Sequence, residues 1–414
     1  MSFEADIVIV GGGAAGVAAA RRLASSQHSS LLLEASSRLG GRAYTHEIRG
    51  LDLDLGCGWL HSAERNGWAT IARTAGVELD QSRAAWGVQY GDLGFPRSEQ
   101  AAAWQAFEAW TKRLAASPPA SDVAADALDP AGEWNEHIRA IVSFISGASL
   151  EKLSAADFVA YDESSTDSNW RARSGYGALI ARSFPRKVAL SLAAPVETIS
   201  LTADGVKLTT RTGTIRARAV ILTVSTAVLA GDTIQLPNEL DPWRDAARVL
   251  PLGLNEKLFL EIVGDAPFEP ETHVTGDPRD ARTASYYIRP FGWPVIECYF
   301  GGERARALCE RGIAEGFDFA IGQLATLFGT DVRARLKPLL ASSWTAAARI
   351  GGAYSYALPG HVEARKILAR PFEQRLFFAG EATSAGDFST AHGAHDSGVR
   401  AADEAIAALG KPGS

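Results

Sequence analysis

The segment Gly11-x-Gly13-x-x-Gly16 constrains this chain more than any other stretch of its sequence. It follows a short apolar run, residues 7–10, and opens an alanine-rich stretch, residues 14–26. It therefore reads as the turn between a buried strand and a helix. A second apolar strand, residues 31–34, comes next, and together the three segments predict a βαβ unit with parallel strands. Each glycine has a physical task. Gly11 permits the tight turn, Gly13 lets the backbone approach a pyrophosphate, and Gly16 lets helix and strand pack closely. Ala15 lies in the first helical turn, where free N–H groups and the positive end of the helix dipole face phosphates. Glu34 ends the next strand, placed to accept hydrogen bonds from a ribose. The glycines alone are a weak signal. The strand before, the helix after and the carboxylate beyond make the turn a dinucleotide site.

The rest of the composition limits the alternatives. A length of 414 residues suggests two domains or a little more, and 46% hydrophobic with 21% charged residues suits a globular protein with a core. The net charge is -7 and no long basic run occurs, which argues against a nucleic-acid surface. Cys57, Cys298 and Cys309 show no CxxC spacing and the histidines no HExxH pattern, so neither a disulfide framework nor a metal site is expected. The first six residues carry two acids and no base, unlike a secretory signal. No apolar stretch approaches the ~20 residues that span a bilayer. The expectation is a cytoplasmic enzyme without stable membrane insertion, as a monomer or homodimer.

The order of elements predicts an α/β fold. Residues from about 68 to 169 read as a helical insertion, with Ala103, Trp104, Phe107, Trp110 and Leu114 at helical spacing. Strands return after Gly175-Tyr176-Gly177, as a meander over 195–201, 206–210 and 214–215, then an apolar run at 219–225. Alternating strands are predicted at 257–263 and 293–300, a helix at 317–328, a strand at 376–380 and a helix over 390–409. We expect a discontinuous Rossmann-type cofactor domain built from residues 1–69, 174–245 and 339–414. An α+β substrate domain of mixed sheet and helices, residues 70–173 and 246–338, is inserted into it.

The stretch Glu34-Ala35-Ser36-Ser37-Arg38-Leu39-Gly40-Gly41-Arg42 separates FAD from NAD. Two glycines and an arginine just past the ribose carboxylate can set a guanidinium against a pyrophosphate or a flavin, an extension that an NAD enzyme does not need. This Glu-Ala-x-x-Arg-x-Gly-Gly-Arg run resembles the signature of the flavin amine oxidase superfamily. That group includes monoamine oxidases, polyamine oxidases, histone lysine demethylases and L-amino acid oxidases, with phytoene desaturases and protoporphyrinogen oxidase as more distant relatives. The resemblance implies FAD, with Ala35, Gly41 and Arg42 among its contacts.

The resemblance extends along the chain. Asp54-Leu55-Gly56-Cys57-Gly58-Trp59-Leu60-His61 looks like the family's second flavin segment, which implies cofactor contacts at Gly56, Cys57, Gly58 and Trp59. In animal polyamine oxidases a Trp-Ile-His run stands there, its histidine beside the substrate channel. His61 is accordingly a substrate-side candidate or a polar loop residue. Val196 is likewise assigned to the cofactor. Trp344 and Gly351-Gly352-Ala353-Tyr354-Ser355-Tyr356 resemble the family's Trp…Gly-x-Tyr-Ser-Tyr segment. Monoamine oxidases bond the flavin through a cysteine directly before that tyrosine. Here Ala353 stands in its place and cannot form a thioether, so noncovalent FAD is expected, with Tyr354 as an aromatic wall. Residues 376–383 match the family's strand and Gly-Glu loop, implying cofactor roles for Gly380 and Glu381. Ser389 and Thr390 open the last helix, whose dipole would stabilise negative charge on reduced flavin. No second aromatic stands beside Thr390, which resembles the demethylase pattern. Lys257 begins an alternating strand, where a lysine is ordinarily a solvated edge charge. Family members carry a lysine before this strand that holds a water next to the flavin.

The activity so implied is FAD-dependent amine oxidation. Hydride leaves the Cα of a neutral amine for flavin N5, the imine hydrolyses, and oxygen is reduced to hydrogen peroxide. Lys257, Tyr354 and His61 are the catalytic candidates, and a small amine and molecular oxygen the partners. A desaturase or oxidase of an apolar substrate and a low-turnover regulatory flavoprotein are the alternatives. The amine itself is not legible: Tyr286, Tyr287, Trp293 and Tyr299 either line the pocket or pack the core.

Overall fold

A computed structural model describes residues 4–410. The chain begins with strand β1, Ala5–Val10, helix α1, Ala14–Leu23, and strand β2, Ser30–Leu33. A hairpin of β3, Thr45–Ile48, and β4, Leu51–Asp54, follows. Helix α2, Gly67–Thr74, and the two-residue strand β5, Leu79–Asp80, lead to a helical block. The block contains α3, Arg97–Ala116, α4, Asn135–Ser146, and α5, Ala155–Ser164. Its apolar spacing buries Phe107, Trp110 and Leu114 against Ile138, Val142 and Phe158, one stripe per helix. The chain returns through β6, Arg171–Ala172, paired with β5, and α6, Tyr176–Arg182.

Strands β7, Ala189–Ser191, β8, Val196–Leu201, β9, Val206–Thr210, and β10, Gly213–Leu222, come next, then α7, Thr226–Ala230, and α8, Asp241–Arg248. A second sheet uses β11, Asn255–Ile262, β12, Thr272–Thr275, β13, Ser285–Ile288, β14, Val295–Gly301, and β15, Leu336–Ala341. Helices α9, Gly302–Arg311, and α10, Ile313–Phe328, precede β15. Helix α11, Ala364–Ala369, strand β16, Leu376–Phe378, and helix α12, Ala391–Leu409, close the chain. Among the described residues no helix is long and apolar enough to cross a membrane.

The first sheet has the order β7-β2-β1-β10-β9-β8, with β16 pairing β10. Its centre is parallel: β1 lies between β2 and β10, with Ile7 opposite Ala219 and Ile9 opposite Ile221. Strands buried on both faces need apolar residues at every position, and β1 has them. Ile7, Ile9 and Ile221 face α1 and α12. Val8, Val10, Val220 and Leu222 face the other way, toward the buried residues of α7, α8 and α11. The segments predicted at 214–215 and 219–225 are one ten-residue strand, β10. Its first half pairs antiparallel with β9 and its second half parallel with β1, so one strand joins the meander to the βαβ unit.

The second sheet, β12-β13-β14-β11-β15, alternates cleanly between two faces. Leu258, Leu260, Tyr286, Ile288, Ile296, Cys298 and Phe300 form a core with Ala320 and Leu324 of α10. Residues one step away point to the opposite face. Cross-strand register there aligns Lys257 with Tyr299, Phe259 with Glu297, and Glu297 with Tyr287. That polar and aromatic face is directed at the first sheet's glycine loops through β4 and the segment after it. All strands of the first sheet lie within 1–69, 174–245 and 339–414, and β11 to β14 lie within 246–338, while β15 crosses residue 338.

Candidate active site

The glycine turn is built as its spacing requires. Gly11 has φ +108°, and a Cβ on Gly16 would stand 1.9 Å from Gly11 O, so neither position admits a side chain. Gly40 donates to Gly12 O at 2.8 Å, which lays the second glycine loop against the first. Gly41 has φ +57° and faces Gly13 Cα. Helix α1 starts at Gly13 with no side-chain cap and no acid in its first turn. Its first N–H groups have no partner within the helix. The only atom near a Cβ on Gly13 is Gly40 O, at 3.9 Å. An uncapped helix start with open space before it, beside Ala15, fits a pyrophosphate. Glu34 accepts from Gly12 N at 2.6 Å and from Ser36 N and Oγ at 2.7 Å. These bonds aim the carboxylate at the turn and leave lone pairs for a ribose. Ala194 N donates to Glu34 O at 2.9 Å, placing Val196, buried at the head of β8, beside the same edge. Ala35 accepts from the Arg349 guanidinium through its carbonyl.

Arg42 does not point freely outward. Its Nη1 pairs with Glu381 Oε1 at 2.9 Å and also donates to Ala353 O. Glu381 is buried and accepts from Ser355 Oγ at 2.7 Å and Ser389 N at 3.0 Å. Burial alone would raise this carboxyl, but the Arg42 and Arg365 guanidiniums and these donors outweigh it and hold it below its usual range. The network draws Gly380, the loop at Ala353 and the start of α12 together. Ser389 adopts φ +63° and donates to Ser355 O at 2.8 Å. Thr390 caps α12, accepting from Gly393 N at 3.0 Å.

Lys257 is buried on the polar face of the second sheet. Its Nζ lies 2.9 Å from Glu297 Oε1 and donates to Asp54 O at 3.2 Å. A Cβ on Gly58 would come within 3.3 Å of that Nζ. The Asp54 side chain accepts from Thr45 Oγ1 at 2.5 Å, Tyr176 N at 2.9 Å and Gly177 N at 3.1 Å. It thereby caps α6, and burial pushes its pKa up to about 6. Gly56 is fixed by Arg42 O, which a Cβ would meet at 1.7 Å. Burial pushes the Cys57 thiol up to about 12, so it remains a thiol. Trp344 is buried against Gly56, with its ring N–H on Leu55 O at 2.9 Å. Glu256, fully buried beside Lys257 in sequence, accepts from Trp344 N at 3.1 Å and Thr345 N at 3.0 Å.

His61 bonds Asn169 Oδ1 through Nδ1 at 2.6 Å, and burial holds its pKa down at about 4, so the ring is neutral. Trp59 packs on Trp86, with centroids 4.2 Å apart, and on Tyr287 at 5.8 Å. Tyr354 donates to Phe144 O at 2.6 Å and shares a 2.7 Å hydrogen bond with Tyr299 OH. Of the aromatics left open by the sequence, Tyr286 is core, while Tyr287 and Trp293 line a cleft with Gly58, Trp59 and Glu297. A second cleft, around Gly147, Lys152 and Arg306, is lined by Thr345 and Tyr356 but by none of Lys257, Tyr354 and His61. Tyr299, also left open by the sequence, joins Tyr354, whereas Glu297, Asn169 and Glu256 were not singled out as site residues from sequence. Glu297 had a signal, since a lysine buried on one strand requires an acid on its neighbour.

A model of the flavin containing amine oxidoreductase family matches residues 94–406, and one of the NAD(P)-binding Rossmann-like domain matches residues 9–74. Polyamine oxidase 4 of Oryza sativa subsp. japonica is 28% identical over 409 residues, which cover 90% of this chain and 82% of that protein. Polyamine oxidase 2 of Arabidopsis thaliana is 29% identical over 209 residues, 49% of this chain and 41% of its own length. Lysine-specific histone demethylase 1B of Mus musculus is 28% identical over 244 residues, 56% of this chain and 29% of its own. With the glycine turn, the buried lysine and a family match over most of its length, the chain belongs to the flavin containing amine oxidoreductases.

Proposed function

We propose that the protein is an FAD-dependent amine oxidase that holds its cofactor noncovalently and reduces oxygen to hydrogen peroxide. The buried Lys257 carries this reading. Two of the three Nζ protons of an ammonium are committed, to Asp54 O and Glu297, and the third is left for a water. Bound FAD supplies the redox chemistry, accepting hydride from the amine Cα to give an imine and returning the electrons to oxygen. The uncapped start of α1 and Glu34 hold the adenosine diphosphate end. The start of α12, at Ser389 and Thr390, would offer its N–H groups and dipole to the end of the flavin that gathers negative charge. Tyr354 and neutral His61 bound the substrate site without adding positive charge to repel an amine, and a site of this dryness favours the uncharged amine. Lys257 Nζ would hold a water through its remaining N–H, for the proton that leaves when imine forms and for those that oxygen takes up.

The test is anaerobic stopped-flow reduction with a panel of mono-, di- and polyamines. At least one is expected to bleach the flavin, and a panel without any would end the proposal. Ala353 adds a second expectation: acid precipitation should release all the flavin into the supernatant, and flavin that stays with the pellet would refute noncovalent binding.

A further inference from the structure

Beyond Trp59 the cavity ends in a cluster that the oxidation chemistry does not use. Arg171 is 6% exposed and stacks on three rings: Phe291 at 4.3 Å, Trp59 at 4.8 Å and Tyr287 at 5.2 Å from centroid to guanidinium carbon. Its Nη2 bonds both Asp80 and Glu271. An aromatic cage with two carboxylates is what a substrate ammonium would seek. Here the cage is filled by the protein's own cation.

The hydrogen bonding is lopsided. Glu271 also accepts from Tyr287 OH at 2.8 Å and from Phe291 N, and Asp80 accepts from Ser82 N at 2.9 Å. Both acids are thus satisfied within the cluster. The unsatisfied group is a donor: Arg171 Nη1 is buried and has no partner. A buried N–H of a charged group without an acceptor is rare in folded proteins. The backbone is also held in an unfavourable form, with Glu271 at φ +57° and Phe291 at φ +55°, left-handed conformations that residues with side chains seldom adopt.

We propose that Arg171 determines substrate class: it takes the place of a second ammonium and offers Nη1 to an oxygen acceptor at the far end of the substrate. The preferred amine then carries a hydroxyl or carboxylate tail, and a diamine of equal length is disfavoured because both acids are already satisfied and its distal ammonium would set a donor against the donor Nη1. This rests on the amine oxidase reading above.

The experiment uses the flavin-loaded protein and amines of one chain length: an alkylamine, a diamine, an amino alcohol and an ω-amino acid. The wild type should favour at least one oxygen-tailed amine over the diamine by tenfold or more in kcat/KM. The alcohol and acid arms say whether the tail is neutral or anionic. Arg171→Met should collapse that ratio by tenfold or more. Arg171→Lys should keep the discrimination against the diamine while losing preference for the oxygen tail, and it preserves the charge between Asp80 and Glu271 if the Met variant does not fold. A wild type that prefers the diamine, or variants with unchanged ratios, would overturn the proposal. Calorimetric binding of the matching alkanol and alkanoate, which carry no amine, separates the two readings. If no amine is oxidised, the proposed function fails, yet tail binding that disappears in Arg171→Lys still supports the role of Arg171. Equal binding to both proteins, or none to the wild type, refutes it.

Discussion

Lys257 is held by groups that come from three places in the chain: its own strand, Asp54 O at the end of β4, and Glu297 on β14. Substituting Lys257→Met keeps the length of the side chain and removes the donor. Flavin reoxidation by oxygen, followed by stopped flow, should slow by about a hundredfold, the usual scale for loss of a positioned proton-handling group. A rate within threefold of wild type would take Lys257 out of the mechanism. Burial at single residues also sets the pH dependence of stability. His61 and His273 are both held down at about 4 by burial. Unfolded histidine titrates near ~6.5. Between those values the unfolded chain binds the extra protons, so each histidine contributes stability that rises with pH through this window. Asp54, pushed up to about 6, does the reverse, keeping a proton in the fold that the unfolded chain has already released. Two rising contributions against one falling leave a net rise of about 1.4 kcal/mol per pH unit from these sites. His273 is away from the cofactor segments and bonds Ser285 Oγ. His273→Gln should therefore flatten the slope of urea stability between pH 4.5 and 6 by about that amount. An unchanged slope would show that burial does not depress this histidine.

Helices α1 and α12 pack through small residues, and this contact joins the two ends of the cofactor site. A Cβ on Gly398 would stand 2.2 Å from Ala15 O. Gly398→Val must push α12 off α1, which separates the phosphate turn from the helix start at Thr390. Overpacking of this kind costs roughly 1–3 kcal/mol. A lower melting temperature together with loss of flavin on gel filtration is expected, and full flavin retention would show that the crossing does not position the site. Both helices were legible in the sequence because each is an unbroken run of helix-forming residues, α1 entered through the glycine turn and α12 through its cap residue Thr390. Strand β15 was not, since Pro338 interrupts it, and the structure shows why proline is tolerated: β15 is an edge strand. Strand β12, Thr-His-Val-Thr, is too short to carry a period, and it forms only because β13 offers it a partner. Gly175-Tyr176-Gly177 was read as the point where strands return, but it opens α6, because the carboxylate of Asp54, far away in sequence, caps that helix.

At the scale of the whole molecule, the helical block is fastened to the cofactor segments by one buried ion pair. Asp157 on α5 and Arg365 on α11 form a two-pronged contact, at 2.7 and 3.0 Å, and both are almost fully buried. Arg365 also donates to Ser355 Oγ at 2.9 Å, within the network that holds Glu381, and covers the Phe388 ring. Asp157→Ala would leave that guanidinium without its paired carboxylate and should cost about 3–5 kcal/mol. The double variant Asp157→Leu/Arg365→Met should recover much of that loss, as read from urea unfolding. Single and double variants of equal stability would show that the unpaired guanidinium is not the cause.

The βαβ start, the glycine positions, the carboxylate at Glu34 and the expectation of a flavin could be read from the residues alone, because each depends on neighbours within one unit of local structure. So could the alternation of β11, and with it that Lys257 and Leu258 face opposite ways. Which face is which depends on how the sheet packs against α10 and the β3–β4 hairpin. Residues 54, 257 and 297 meet because two strands of one sheet lie against the end of a hairpin from another part of the chain. Arg171 meets Asp80, Glu271 and three rings by the same kind of convergence. Pairing of buried charges is a long-range requirement, imposed by the cost of removing ions from water, and its partners can lie anywhere in the sequence.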